Sequence, residues 1–218
     1  MHKLFAATLL CILVCSAAAR AAELHVRVVD HKGKLVSDAV VLATAVDPRN
    51  ALRAKPATDA VDQVDKQFVP YVKPVFVGAT VRFPNSDNIR HQVYSFSPAK
   101  KFELPLYGGL NAQPVVFDKP GVVVLGCNIH DWMIGYIYVS DTPFFAKTGS
   151  AGTAIIADLP PGEYAVRVWH PNLARTEDST TRRITVTAED STSAEWQLDL
   201  KPNFRVPRVS GAGSAAYP

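Results

Sequence analysis

Three residues that can bind a soft metal ion follow one another at three-residue intervals in one short segment of this sequence. In the segment GCNIHDWMIGYIYV they are Cys127, His130 and Met133, and they follow the apolar run of residues 122–125. A thiolate, an imidazole and a thioether together favour copper. The trigonal copper site of electron-transfer proteins has two histidines, one cysteine and a weak axial methionine, so the segment lacks one histidine.

We predict that His91 supplies the missing imidazole. It follows the segment GATVRFPNSDNIR and opens a predicted strand, and a β-sandwich can bring the start of that strand beside the Cys127 loop. The other histidines fit less well, because they lie in the N-terminal segment, the first predicted strand, a polar turn and a later strand end: His2, His25, His31 and His170. The predicted metal ligands are His91, Cys127, His130 and Met133.

The N-terminus predicts an exported protein. Residues 1–21 contain a positively charged start, an apolar run too short for a membrane span and a small-x-small cleavage pattern, which predicts a signal peptide and a mature start at Ala22. Its removal would take away Cys11 and Cys15 and leave Cys127 as the only cysteine. A lone thiol in an oxidising compartment must be buried, catalytic or bound to metal. We expect a periplasmic protein with no stable membrane insertion after cleavage.

The composition predicts a globular, all-β protein. Of the 218 residues 48% are hydrophobic and 20% charged, and 23 Lys plus Arg against 20 Asp plus Glu give a net charge of +3, too small for a nucleic-acid-binding surface. Segments rich in β-branched and aromatic residues alternate with Gly, Pro, Asn and Asp clusters. The predicted strands are 24–29, 39–44, 75–83, 92–96, 114–117, 122–127, 135–139, 154–157, 164–169, 181–186 and 195–200.

These strands fall into two sandwich-sized units. One unit comprises residues 64–140. Residues 22–46 and 145–200 together make the second, because neither piece alone has enough strands to close a core. Residues 47–66 are predicted to be a linker with at most a short helical turn, and residues 201–218 a flexible tail. The alternative is a tandem order, in which residues 22–46 pair with the first unit instead.

The first unit resembles a cupredoxin, the superfamily of plastocyanin and amicyanin, over roughly a third of the chain. The resemblance is carried by Phe68-x-Pro70, Gly78-Ala79-Thr80-Val81, Asn85-x-Asp87 before His91, Gly121 and the Cys-x2-His-x2-Met loop. The segment is also similar to periplasmic plastocyanin-like proteins of the methylamine-utilisation type. It departs from better-known members at Gln92, where Asn is frequent, so a hydrogen bond that stiffens the copper loop is expected to change.

The resemblance implies a Greek-key β-sandwich with one type 1 (blue) copper ion. Cys127 would supply the thiolate that delocalises the unpaired electron, His91 and His130 would complete the plane, and Met133 would tune the potential. His130 would be the electron's route, since it lies in a surface loop. The implied function is transfer of single electrons by a non-enzymatic monomer, with a cytochrome or a periplasmic dehydrogenase as partner.

The second unit resembles carboxypeptidase regulatory-like or transthyretin-like sandwiches, which are small Ig-like folds. The segments LHVRVVDHKGKLVSDAVVLATA and TGSAGTAIIADLPPGEYAVRVWHP carry this resemblance. It implies a binding or spacer module without catalysis, into which the first unit is inserted.

Other classes of function need the same residues and stay open at this point. In a Cys–His hydrolase Cys127 would be the nucleophile, but it closes an apolar strand and no oxyanion-type glycine loop is visible. Structural zinc is disfavoured because methionine is a poor zinc ligand. A periplasmic copper carrier or sensor that delivers the ion to another protein would use all four predicted ligands, although carriers favour exchangeable Met-rich or two-Cys sites.

Overall fold

A computed structural model describes most of the chain. It covers residues 22–51, 54–110, 112–188 and 191–202. The predicted signal peptide, residues 1–21, and most of the predicted tail, residues 203–218, lie outside the described residues. No helix in the described ranges has the length and apolar composition needed to cross a bilayer.

The predicted all-β fold is confirmed. The described residues form seventeen strands and two short 3-10 helices, Pro48–Asn50 and Glu177–Thr180. The strands are β1 (Ala22–Asp30), β2 (Val40–Ala45), β3 (Thr58–Ala60), β4 (Asp62–Val64), β5 (Gln67–Val69), β6 (Val72–Phe76), β7 (Ala79–Arg82), β8 (His91–Ser97), β9 (Lys100–Tyr107), β10 (Val115–Phe117), β11 (Gly121–Gly126), β12 (Ile134–Ser140), β13 (Phe145–Lys147), β14 (Thr153–Leu159), β15 (Gly162–Trp169), β16 (Arg182–Val186) and β17 (Thr192–Leu198).

Strands β3 to β12 form what we call the central sandwich. One sheet has the order β6-β12-β11-β8-β9, a second has the order β10-β7-β3, and β4 and β5 form a hairpin. The largest fully buried side chains of its apolar core are Phe68, Phe83, Phe117, Leu125, Met133 and Ile137. Alternate residues of β8 are buried, which is the period expected of a strand with one face on a core, and His91 is the first of them.

Strands β1, β2 and β13 to β17 form what we call the flanking sandwich. Its two sheets have the orders β14-β1-β17 and β13-β2-β15-β16. They enclose a separate core whose largest fully buried side chains are Leu24, Leu159, Tyr164, Trp196 and Leu198. The parallel pairing of β1 with β17 joins the first and the last of the described strands in one sheet.

The two sandwiches meet at a third apolar cluster on the outer face of the five-stranded sheet. Val72 and Tyr138 of the central sandwich pack there against Val40 and Leu42 of the flanking sandwich. The Tyr138 hydroxyl donates a 2.6 Å hydrogen bond to Glu177, which places a polar contact at this largely apolar interface. Burial, together with this carboxylate, raises the pKa of Tyr138.

The prediction of one strand over residues 75–83 is wrong. The chain turns at Gly78, whose φ of +89° lies in the left-handed region that favours glycine. The strands on either side of it, β6 and β7, belong to different sheets. The error has a simple cause, because Val, Phe and Thr on both sides of the turn give one continuous apolar and β-branched pattern.

The segment predicted to be a linker, residues 47–66, contains two short strands as well as the expected helical turn. Strand β3 pairs with β7 and β4 pairs with β5, so both belong to the central sandwich. Its strands therefore begin at Thr58, ahead of the predicted start of this unit at residue 64. Strands β5, β9 and β13 were also not predicted. β3, β4, β5 and β13 have three residues each, too few to show a strand period, and β9 carries Lys, Glu and Pro on its exposed face.

Candidate metal centre

Two strand pairings bring the predicted ligands together at one end of the central sandwich. Gly126, the last residue of β11, pairs with Tyr94 of β8, and this places Cys127 close to the start of β8, where His91 lies. Gly126 also pairs with Ile134, the first residue of β12. The loop between them is therefore closed at its base, and it carries Cys127, His130 and Met133.

Three of the four predicted ligands converge on one point. The Cys127 Sγ atom lies 3.9 Å from Nδ1 of His91 and 4.0 Å from Nδ1 of His130, and the three atoms lie within 4.8 Å of one another. His91 has no exposed surface, Cys127 is 3% exposed and His130 is 7% exposed. Two imidazole nitrogens thus face one sulfur in a site from which water is largely excluded.

These separations fit a shared metal ion. Bonds of about 2.3 Å to sulfur and about 2.0 Å to nitrogen, which are typical of a first-row metal, place the two atoms about 3.7–3.9 Å apart at ligand angles of roughly 120–130°. The observed distances of 3.9 and 4.0 Å agree with this spacing and are long for a hydrogen bond between thiol and imidazole. The donor set and its spacing therefore suit one metal ion shared by the three residues.

Met133, the fourth predicted ligand, lies in the same loop as Cys127 and His130. Its side chain is 1% exposed and belongs to the same buried cluster as Cys127. Its backbone N–H donates a 2.9 Å hydrogen bond to the carbonyl oxygen of His130, which ties the two positions together within the loop. Met133 thus shares the loop and the buried cluster of Cys127, and its role as a fourth ligand stays a prediction.

The orientation of the His91 ring is set by Asp87. The ring Nε2 lies 2.7 Å from the Asp87 carboxylate, and an ionised carboxylate can only accept a hydrogen bond. Nε2 therefore carries a proton and donates it, so Nδ1 is the ring nitrogen that faces Cys127 and is available to a metal ion. Carboxylate–histidine pairs of this kind are the usual outer support of a metal ligand.

The surroundings of Cys127 favour its thiolate. Burial raises the pKa of the thiol, but His91 and the backbone N–H groups of Gln92, Ile129 and His130 lower it more, so the net shift is downward. The opposite balance holds for His91, because burial lowers the pKa of the ring while Cys127 and Asp87 raise it more. A thiolate is the form of cysteine that binds metal.

The loop leaves His130 the more accessible of the two histidines. Its ring packs on Trp132, with the ring centroids 5.1 Å apart, and lies 5.0 Å from the His91 ring on the other side. Trp132 and Ile129 are both exposed large apolar side chains. His130 thus reaches the surface at its edge only, under an apolar rim.

The remaining histidines of the described chain lie elsewhere. His25 is in the flanking sandwich and lies 2.8 Å from Glu23, and His31 is on an exposed turn. The ring of His170 accepts a 3.1 Å hydrogen bond from the backbone N–H of Asn172. The predicted assignment of these three to roles outside the metal centre agrees with their positions, and His2 lies outside the described residues.

Two residues that support the site were not assigned a role from the sequence. Asp87 appeared only as part of a motif, and its partner His91 follows four residues later. The Asn85 side chain is buried and donates 2.9 Å hydrogen bonds to the carbonyl oxygens of Ile89 and Tyr107, which closes the loop that leads into β8. An acidic residue shortly before a candidate histidine ligand is the signal that could have found Asp87.

Gln92 takes no part in stiffening the loop through its side chain. Its amide nitrogen donates a 2.6 Å hydrogen bond to Glu103 on the neighbouring strand β9, at the exposed face of the sheet. The contribution of Gln92 to the site comes from its backbone N–H, which helps to lower the pKa of Cys127.

Comparisons with known proteins give structural neighbours but no family assignment. No family model and no curated protein matches the sequence. Similar solved structures include a copper-containing nitrite reductase from Thermus scotoductus SA-01, 32% identical over 41% of this chain and 23% of that one, with a TM-score of 0.36. A purple cupredoxin from Nitrosopumilus maritimus is 24% identical over 37% of this chain and 96% of that one, with a TM-score of 0.33. A reduced amicyanin variant is 24% identical over 45% of this chain and 99% of that one, with a TM-score of 0.35.

Cupredoxins are thus among the neighbours, as the sequence resemblance predicts, and the chain spans less than a quarter of the nitrite reductase. All three TM-scores are below 0.5, so the assignment of the site rests on this chain's own geometry. The resemblance of the flanking sandwich to transthyretin-like folds stays a prediction. Fold and site together define an all-β protein with a buried His–Cys–His group suited to a metal ion.

Proposed function

We propose that this protein is a type 1 copper protein that carries single electrons between redox partners. The observation that carries the proposal is the convergence of two imidazole Nδ1 atoms on one cysteine sulfur within 4.8 Å. Two histidines, one cysteine and an axial methionine form the donor set of electron-transfer copper sites. When bound, copper supplies a one-electron couple between its cuprous and cupric forms.

The residues around the centre contribute rigidity and exclusion of water. His91 is held by Asp87, Cys127 by three backbone N–H groups, and the loop is closed by the pairing of β11 with β12. The small exposure of the ligands suits an electron carrier, which needs no open coordination position for a substrate. A fixed ligand set also suits a retained redox ion better than an ion that is handed to another protein.

The test of this proposal is the visible absorption of the protein loaded with Cu(II). We expect an intense blue thiolate charge-transfer band, reversible one-electron reduction and slow loss of copper. Cys127→Ala should abolish the band and leave the β-sheet circular dichroism largely intact, whereas the matched variant His25→Ala, on the flanking sandwich, should keep the band. A blue Cys127→Ala protein would remove the site assignment. A colourless wild type that readily gives up Cu(I) would identify a copper carrier instead.

We further propose that the protein works in the periplasm. The support is the signal pattern of residues 1–21, together with the burial of Cys127, the only cysteine that would remain after cleavage, since a buried thiol is safe in an oxidising compartment. Mass spectrometry of the protein recovered from a periplasmic extract should show a chain that begins at Ala22. A full-length chain retained in the cytoplasm would contradict this proposal.

The proposed partner is a cytochrome or a periplasmic dehydrogenase, bound transiently by a monomer. Ile129 and Trp132 form an exposed apolar rim next to His130, the most accessible ligand. An electron carrier must leave its partner quickly, so the interface should be small, below about 1,200 Å² in total.

A further inference from the structure

The Asp87 carboxylate binds two parts of the molecule at once. Its Oδ2 atom accepts hydrogen bonds from Nε2 of His91 at 2.7 Å and from the backbone N–H of Lys66 at 2.9 Å. Its Oδ1 atom accepts the backbone N–H of Asp65 at 2.6 Å. One largely buried carboxylate therefore joins a metal ligand to the turn of a hairpin more than twenty residues away.

That turn has an unusual backbone. Asp65 and Lys66 are the two residues between β4 and β5, and their φ angles are +51° and +59°. Two-residue hairpin turns of this kind favour Asn and Gly, because the left-handed region is unfavourable for residues with a Cβ atom. In this chain the Asp87 carboxylate accepts both N–H groups of the turn and so stabilises it.

The same contacts hold Asp87 still. Its own backbone N–H donates a 3.1 Å hydrogen bond to the Asn85 side chain, and Asn85 is buried. A carboxylate fixed by two backbone donors has little freedom to follow the His91 ring, so the ring must adjust to the carboxylate. The hairpin turn thus fixes Asp87, and Asp87 in turn fixes the position of the His91 ring and the proton on its Nε2 atom.

We propose that Asp87 is the positioning residue of the metal centre. Its carboxylate holds the neutral His91 ring with the proton on Nε2, so that Nδ1 is free to bind the metal, and its negative charge lowers the reduction potential of the centre. The positioning of His91 concerns the chain itself, whereas the effect on the reduction potential rests on the proposed copper function. The sign follows from electrostatics, because a nearby negative charge stabilises the more highly charged cupric form.

The experiment compares Asp87→Ala and Asp87→Asn with the control Asp62→Asn. Asp62 lies at the start of the same hairpin, and its carboxylate accepts hydrogen bonds from Ser86 and from the Gln63 backbone. Its neutralisation therefore changes the charge and the hydrogen bonding near the hairpin while the His91–Asp87 pair stays intact.

The first measurement needs no metal. Nitrogen-15 chemical shifts of the His91 ring, recorded on the metal-free protein in mildly alkaline buffer, report which ring nitrogen carries the proton. We expect the proton on Nε2 in the wild type and in Asp62→Asn, and a mixture of both ring forms in Asp87→Ala. Asp87→Asn should retain the Nε2 form, because the amide oxygen can still accept from the ring. An unchanged ring signal in Asp87→Ala would overturn the positioning role.

The second measurement is the reduction potential of the copper-loaded proteins. Asp87→Asn should keep the blue band and favour Cu(I) over Cu(II) by about tenfold relative to wild type, which is a rise of about 59 mV for one electron. Asp87→Ala should also bind Cu(II) roughly 10–100-fold more weakly than wild type, which is the usual effect of removing the hydrogen-bond partner of a metal ligand. Equal potentials in Asp87→Asn and Asp62→Asn would overturn the charge effect.

The two measurements separate failure of this proposal from failure of the proposed function. A wild-type protein without a reversible copper couple would refute the electron-carrier function and with it the charge effect. The ring signals of the metal-free variants would still decide whether Asp87 positions His91.

Discussion

At the residue scale, His91 and His170 are both largely buried but lie in opposite electrostatic surroundings. His91 faces Cys127 and Asp87, which raise its pKa despite burial. For His170 burial dominates and lowers the pKa, although Asp38 and the Ser37 backbone act in the opposite direction. His170 is thus a neutral ring of the flanking sandwich, and its protonation opposes folding.

His170 should therefore reduce the stability of the protein in mild acid. Because the folded pKa of His170 lies below its ordinary value of 6.5, the unfolded chain binds the proton more readily, and stability is lost as the pH falls below about 6.5. His170→Asn retains an acceptor for the Asn172 N–H and removes the titrating group. Urea unfolding at several pH values should show a weaker decline toward acid in the variant than in wild type. Equal declines in the two proteins would contradict this account.

The residues of the metal centre differ in how far the sequence alone reveals them. Cys127, His130 and Met133 occupy one loop, so their spacing already predicts a common site. His91 lies 36 positions before Cys127 and is found only if a sandwich is assumed. Asp87 carries only a weak sequence signal, its position four residues before a candidate ligand, because an acidic residue in a polar loop is most often solvated; its hydrogen bond to His91 shows its role.

At the element scale, the position of the β6–β7 turn determines which sheet each strand joins. Gly78 turns the chain out of the five-stranded sheet, where β6 pairs with β12, into the sheet where β7 pairs with β10. An added Cβ atom at Gly78 would lie 2.9 Å from Cγ of Pro56, and the left-handed backbone disfavours any side chain. The turn thus requires glycine for two independent reasons.

Gly78→Ala should destabilise the protein. The left-handed conformation alone costs about 1–2 kcal/mol for a residue with a Cβ atom, and the contact with Pro56 adds to it. The matched control is Gly149→Ala, where the added atom meets nothing within 4 Å and φ is outside the left-handed range, so its stability should change by less than about 0.5 kcal/mol. Guanidinium unfolding of both variants measures the difference, and equal midpoints would refute the argument.

Most of the longer strands are predictable from the sequence, but the eight-residue β9 is not, and of the described three-residue strands only β10 is predicted. β8 and β15 lie in segments rich in β-branched and aromatic residues, which predict strands, and in the structure each buries every second residue along most of its length. The three-residue strands β3, β4 and β5 depend on pairing partners elsewhere in the chain, and this information is absent from a local window. The break at Gly78 was missed because a single glycine interrupts an otherwise uniform β-forming pattern.

At the scale of the whole molecule, two cores share one interface rather than a flexible connection. Tyr136 and Tyr138 of the central sandwich both pack against the ring of Trp169, with centroids 5.8 and 5.3 Å apart. Arg167 binds Glu177, which also accepts the Tyr138 hydroxyl, so charged and aromatic contacts support the same junction. Composition and strand count predict two units, but local patterns do not show which faces meet, because the interface residues alternate like any half-buried strand.

The junction has a practical consequence for anyone who wishes to shorten this protein for spectroscopy. Removal of the flanking sandwich would expose Val72, Tyr138 and their neighbours to water as an apolar surface on the remaining fragment. Such a fragment would self-associate and lose solubility even if it still bound a metal ion. A usable truncation must replace those side chains with polar ones or keep both halves.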